Sequence, residues 1–199
     1  MMLIEETGVS RDALPLAEFK AHLRLGTGFA EEGLQEPVLE SFLRAAIAAI
    51  EARTGKVLIR RVFHWTHSEW RAPNGQPMPV APVTAVTSLT LHSRDGDQEG
   101  IGPAFYRLEV DAHRPVLRPQ GAMLPAIPRG GTAEIVFEAG FSDNWGGLPA
   151  DLAQAVLLLA AHYYEYRDET ALGGGCMPFG VSSLIERYRT VRLFHGSAG

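Results

Sequence analysis

Few residues of this chain have the types and spacing that chemistry requires. His64-Trp65-Thr66-His67 puts two imidazoles three residues apart. On a strand such residues point to opposite faces, so the rings diverge and do not share a metal. The seven histidines include no His-x-x-x-His helical pair and no His-Glu-x-x-His, so no metal site is expected. Gly173-Gly174-Gly175-Cys176 has the glycines of a phosphate loop, but Met177-Pro178-Phe179 follows where Lys and Ser or Thr would reach the phosphates. A thiol nucleophile needs a base and an electropositive setting, and the neighbouring sequence supplies neither. Gly173, Gly174 and Gly175 therefore read as a hinge beside a small packed cysteine. There is no Gly-x-Ser-x-Gly elbow, and the pairs Glu5-Glu6 and Glu31-Glu32 lie in polar stretches. No catalytic residue and no cofactor is expected.

The C-terminal stretch has a different chemistry. Tyr188, Arg189, Arg192, Leu193 and Phe194 mix arginine with aromatic and aliphatic side chains, the usual anchors of protein interfaces. Two rival readings stay open on residues alone: a small hydrolase or transferase using Cys176 with a histidine, and a DNA-binding accessory protein using the basic tail.

Composition narrows the classes. The 199 residues carry a net charge of −5, with 46% apolar and 21% charged residues. That is ordinary globular composition, not that of a disordered, collagen-like or disulfide-stapled chain. A chain of this size buries roughly 70% of its unfolded surface and needs no staple to hold a core. Cys176 is the single cysteine, which excludes an internal disulfide and suits a reducing compartment. The start, Met1-Met2-Leu3-Ile4-Glu5-Glu6, lacks the basic and apolar regions of a signal peptide. The longest apolar run, 155–161, is too short for a bilayer. The acidic balance argues against a surface that grips nucleic acid all over.

The elements that must position these residues follow from periodicity. Leu16, Phe19 and Leu23 recur at helical spacing after Pro15. A second helix is expected from near Pro37 to Thr54, stopped by Gly55, with Leu39, Leu43, Ile47 and Ile50 on one stripe. Its five alanines, Ala45 and Ala49 among them, make part of it thin. From Val57 the period becomes two. Strands are expected over 61–70, 83–92, 106–110, 115–117 and 132–139. In the second of these Val83, Ala85, Thr87, Leu89 and Leu91 should share a face, and in the last Ala133, Ile135 and Phe137 should point inward. A third helix opens at Leu148-Pro149-Ala150-Asp151 and is apolar nearly all round between Leu152 and Tyr164, so it must be covered on most sides. A short fourth helix spans 181–188. The fold class is α+β: a helical core of about four helices, interrupted at 57–140 by a mostly antiparallel insertion of about five strands, with hinge, short helix and tail at 171–199. One domain spans 1–199.

This order resembles the head–tail connector (adaptor) proteins of tailed bacteriophages and gene transfer agents. The resemblance rests on several stretches: the opening helix 14–25, the Ala-rich helix 39–53 ending Thr54-Gly55-Lys56, and the Trp-bearing strand with Pro79-Val80-Ala81-Pro82-Val83. It continues through Gly140-Phe141, Leu148-Pro149-Ala150-Asp151-Leu152, Ala161-His162-Tyr163-Tyr164 and Leu184-Ile185-Glu186-Arg187-Tyr188-Arg189. It implies a non-enzymatic ring, usually of twelve subunits, beneath the portal protein. That ring would sit at the head–tail junction of a virion or phage-like particle, assembled in the bacterial cytoplasm. Double-stranded DNA passes through such a ring without sequence recognition, the next tail or stopper protein docks on it, and no membrane is involved. A closed ring needs two different adhesive faces. The thin and the over-apolar helices are the candidates, with Ala45, Ala49, Leu152, Val156, Leu159 and Tyr163 at the subunit interface. The tail, hinged at Gly173–Gly175, would reach the portal.

Overall fold

A computed structural model describes residues 2–24, 32–166 and 177–189. Helix α1 (Leu16–His22) buries Phe19 against α2 (Glu32–Thr54). Helix α2 begins five residues earlier than Pro37 suggested. Pro37 is the sixth residue of the helix, two places past the four N–H groups that have no intrahelical partner, so the helix forgoes one bond there. Leu39, Leu43, Ile47 and Ile50 are all buried, as their spacing requires. The helix stops where Gly55 turns to a φ of +68°, the left-handed conformation a side chain resists. Helix α3 (Ala150–Glu165) packs against α2 and against α4 (Phe179–Ile185). Together these helices enclose one apolar cluster that also takes in Leu58, Ile59 and Tyr188.

Among the described residues eight strands lie between or beside the helices, more than the five expected. Strands β1 (Met2–Glu5), β2 (Arg61–His67), β4 (Val83–His92), β5 (Gln98–Gly100) and β8 (Thr132–Ala139) form an antiparallel sheet in the order β1-β2-β8-β4-β5. A second, three-stranded sheet pairs β3 (Gln76–Pro77), β7 (Val116–Pro119) and β6 (Tyr106–Glu109). A second apolar cluster fills the space beneath them, with Phe63, Trp65, Leu89, Leu117, Ile135 and Phe137 buried. In β2 and β8 burial alternates without a break, so Ala133, Ile135 and Phe137 point inward.

Strand β4 corrects the expected pattern. Its register slips between Val83 and Ala85 and again between Val86 and Ser88. Each irregularity shifts the phase of the side chains. Val83, Leu89 and Leu91 are buried as expected, but Ala85 and Thr87 are exposed and Val86 packs inward instead.

The helical and β clusters meet at 56–61. Arg61, nearly buried at the start of β2, sends Nη2 2.7 Å to Glu51 Oε2 on α2, and its Nε lies 3.0 Å from Glu5 Oε1 on β1. Glu51 also accepts from the Leu58 backbone N–H at 2.7 Å. Burial pushes the Glu51 carboxyl upward, against the pull of the Arg61 guanidinium. One buried arginine thus ties the last turns of α2 to two strands of the sheet.

Candidate interaction surfaces

The third helix is apolar because the subunit itself covers much of it. Leu152, Val156 and Leu159 are buried in the helical core. In the free subunit these three side chains, expected at a subunit interface, serve the subunit's own core and leave almost no surface for a neighbour. Tyr163 is half-buried, with burial raising its phenol pKa, and Leu157 and Leu158 are also only partly covered. On α2, Ala45 is exposed and Ala49 half-buried. Ala48 and Ala52 are exposed as well, so the thin side of α2 faces outward. The Phe42 ring meets Tyr164 edge-on at 6.1 Å, joining α2 to the end of α3.

Tyr188 is drawn into the subunit, not presented from it. It is 7% exposed, and its hydroxyl donates to Asp151 Oδ1 at 2.8 Å in the first turn of α3. Its ring meets Phe141 edge-on at 5.7 Å. The Arg187 guanidinium lies over the Tyr188 ring, 4.7 Å from its centre, and its Nε reaches Asp151 Oδ2 at 2.8 Å. Tyr188 thus fastens the C-terminal segment to α3 and leaves little of its surface, in the free subunit, for the portal contact expected of it. Arg189 is exposed and pairs with Glu186 at 3.0 Å. Arg192, Leu193 and Phe194, the hinge Gly173, Gly174 and Gly175, and Cys176 lie outside the described residues.

Several outward features escaped the sequence reading. Phe179, which opens α4, is 88% exposed, and Phe105, Val110 and Met123 stand out from the β-rich region. Nothing in local periodicity marks a single apolar residue on a turn as exposed. Strand β1 also went unread. Its Met2-Leu3-Ile4 run was the available signal, yet four residues beside two glutamates are too few to establish a period.

The two histidines do diverge. His64 faces outward between Glu6 and Glu134. His67 points inward, its ring 3.7 Å from that of Trp65. Among the described residues no helix is long and apolar enough to cross a membrane.

Solved structures decide the family. A chain from the neck of an empty gene transfer agent particle, computed with C6 symmetry, is 54% identical over 98% of this chain and 99% of that one, with a TM-score of 0.90. The chain belongs to the head–tail connector (adaptor) family. A chain from the virion of a native gene transfer agent particle is 54% identical with a TM-score of 0.87, with 98% of this chain and 99% of that chain covered. Another, from the neck of a native particle computed with C12 symmetry, is 50% identical with a TM-score of 0.84 over the same shares. No protein-family model and no curated protein matches the chain. A connector is a structural neck component, and the two packed clusters described above are the body of one.

Proposed function

We propose that this connector assembles as a ring beneath the portal of a gene transfer agent or phage particle, at the head–tail junction. There it extends the DNA channel and gives the next tail or stopper protein a platform. The observation that carries this reading is the 54% identity over nearly the full length to a chain of a gene transfer agent neck. Neck structures of relatives computed with C6 and with C12 symmetry are both compatible with twelve copies, since sixfold symmetry is contained in twelvefold. A net charge of −5 suits a conduit wall along which DNA slides without being held. The role is structural and not enzymatic.

Ring closure is heterologous, so two unlike faces of each subunit meet. Exposed Ala45 and half-buried Ala49 on α2 form one, because small side chains let a neighbour approach closely; half-buried Tyr163 on α3 lies at the other. Arg189, Arg192, Leu193 and Phe194 contact the portal, with Gly173–Gly175 as the hinge that lets the tail reach it. A single tail binds weakly because ordering it costs conformational entropy, and a ring presenting many tails gains by effective concentration. Electron microscopy of the purified protein mixed with portal tests the proposal. An added ring layer is the expected result; a monomer that leaves portal particles unchanged would refute it.

A further inference from the structure

His64 sits in the middle of β2 on the outer face of the five-stranded sheet, opposite Ile4 of β1 and Val136 of β8. Both of its ring nitrogens face carboxylates. Nδ1 is 2.8 Å from Glu134 Oε1 on β8, and Nε2 is 3.0 Å from Glu6 Oε2 just beyond β1. A neutral imidazole has one N–H and one acceptor nitrogen, and an ionised carboxylate offers acceptors only. A neutral ring can therefore satisfy one of these glutamates and not the other. The imidazolium, with two N–H groups, satisfies both.

The remaining Glu134 oxygen, Oε2, lies 3.0 Å from Nε2 of His92 on β4. The network thus runs Glu6–His64–Glu134–His92 and crosses every junction from the segment after β1 to β4. The titratable groups facing His64 are Glu6 from the β1 side and Glu134 from β8, with His92 of β4 one step beyond. Thr66 beside it on β2 and Thr132 on β8 are neutral.

Strand β1 has much to gain from a fastening. It is a sheet edge of four residues, all exposed. It holds to β2 through the backbone ladder and the Glu6 N–H to Val62 carbonyl bond of 2.9 Å. Side chains add three ties: Glu5 to Arg61 on the inner face, Glu6 to His64 on the outer face, and the Thr7 hydroxyl just beyond, which accepts from the Val62 N–H at 3.4 Å. A short edge strand with Met2, Leu3 and Ile4 exposed is the least protected part of a sheet.

We propose that His64 is a proton-operated latch on β1: its imidazolium clamps the end of β1 to β8 across β2, and its neutral form lets Glu6 go and loosens the edge strand. The pKa of His64 is raised, by hydrogen bonding to Glu134 first and to Glu6 second, against a small opposing effect of burial. For a base whose folded pKa is raised, the extra stability is fully present below the ordinary value of 6.5. It is lost as the pH climbs through the raised value.

Hydrogen exchange of the full chain, read as protection factors for residues 2–6 at about pH 6 and about pH 9, tests the latch. Protection in the unaltered protein falls about threefold or more between those conditions, and in His64→Gln it is flat. Equal protection at both pH values in the unaltered protein overturns the proposal, as does a His64→Gln profile that follows it. Should His64→Gln fold poorly, the exposed Glu6→Gln change serves with NMR titration of His64. The His64 midpoint lies above 6.5 and moves down in that variant; a midpoint at or below 6.5, or one that Glu6→Gln leaves in place, also overturns the latch.

Discussion

Lowering the pH should weaken this subunit through one inward-facing ring. His67 ends β2 within the β-cluster, 6% exposed, and among the described residues its Nε2 has no hydrogen-bond partner. Burial pushes its pKa down from 6.5 to about 4. The folded protein therefore keeps His67 neutral throughout that interval, while the unfolded chain binds a proton below 6.5. Stability is at its full value above 6.5, drains away as the pH falls toward about 4, and changes no further from this group below that. At about 1.4 kcal/mol per pH decade the loss amounts to about 3 kcal/mol, a large part of a typical domain's 5–15 kcal/mol, roughly stated. Replacing the ring with an apolar side chain of similar size, His67→Leu, removes the titration and the unpaired nitrogen together. Urea unfolding of both proteins across this pH range measures the effect. The variant should gain about 3 kcal/mol on the unaltered protein between neutral pH and about pH 4. Taking the difference between the two proteins cancels the carboxylates that titrate in the same range. Parallel stability curves for the two would refute the reasoning, because they would mean that His67 takes up its proton as readily folded as unfolded.

Other parts of the fold make equally definite demands. Arg61→Ala strands the buried Glu51 carboxylate and should cost about 3–5 kcal/mol in chemical denaturation, whereas the paired change Arg61→Met with Glu51→Gln should cost much less. Leu159→Ala should lower the stability of the free subunit by about 2–5 kcal/mol, since this side chain serves the subunit's own core; an unchanged unfolding midpoint would return it to the list of interface residues. Gly140 follows β8 with a φ of +144°, and a Cβ there would run into the Arg60 backbone. Gly140→Ala should therefore cost about 3 kcal/mol or more, or abolish soluble expression.

The match between sequence pattern and structure is best where burial is decided locally. The stripe Leu39, Leu43, Ile47, Ile50 is buried because residues on one helical face stay on one face whatever packs there. The alternation in β8 survives because both of its neighbours, β2 and β4, pair with it along its length. Strand β4 departs from its own alternation because register slips belong to the pairing of two strands, not to either strand alone. The over-apolar character of α3 signals a need for cover, and Leu152, Val156 and Leu159 find much of that cover in α2 and α4.

Amino-acid order alone determined the α+β class, the run of helices flanking a β-rich middle, the divergence of His64 from His67 and the connector resemblance. Each of these depends on spacing within a few residues or on the succession of elements. Tertiary structure alone decided that Arg61 joins Glu51 to Glu5, that His64 stands between glutamates 58 and 70 residues away, and that Tyr188 turns inward to Asp151, 37 residues back. Such partners share no local period. They meet because strand pairing and the closure of two apolar clusters bring distant segments together, and the energies of polar groups depend on the burial and charge that this assembly creates.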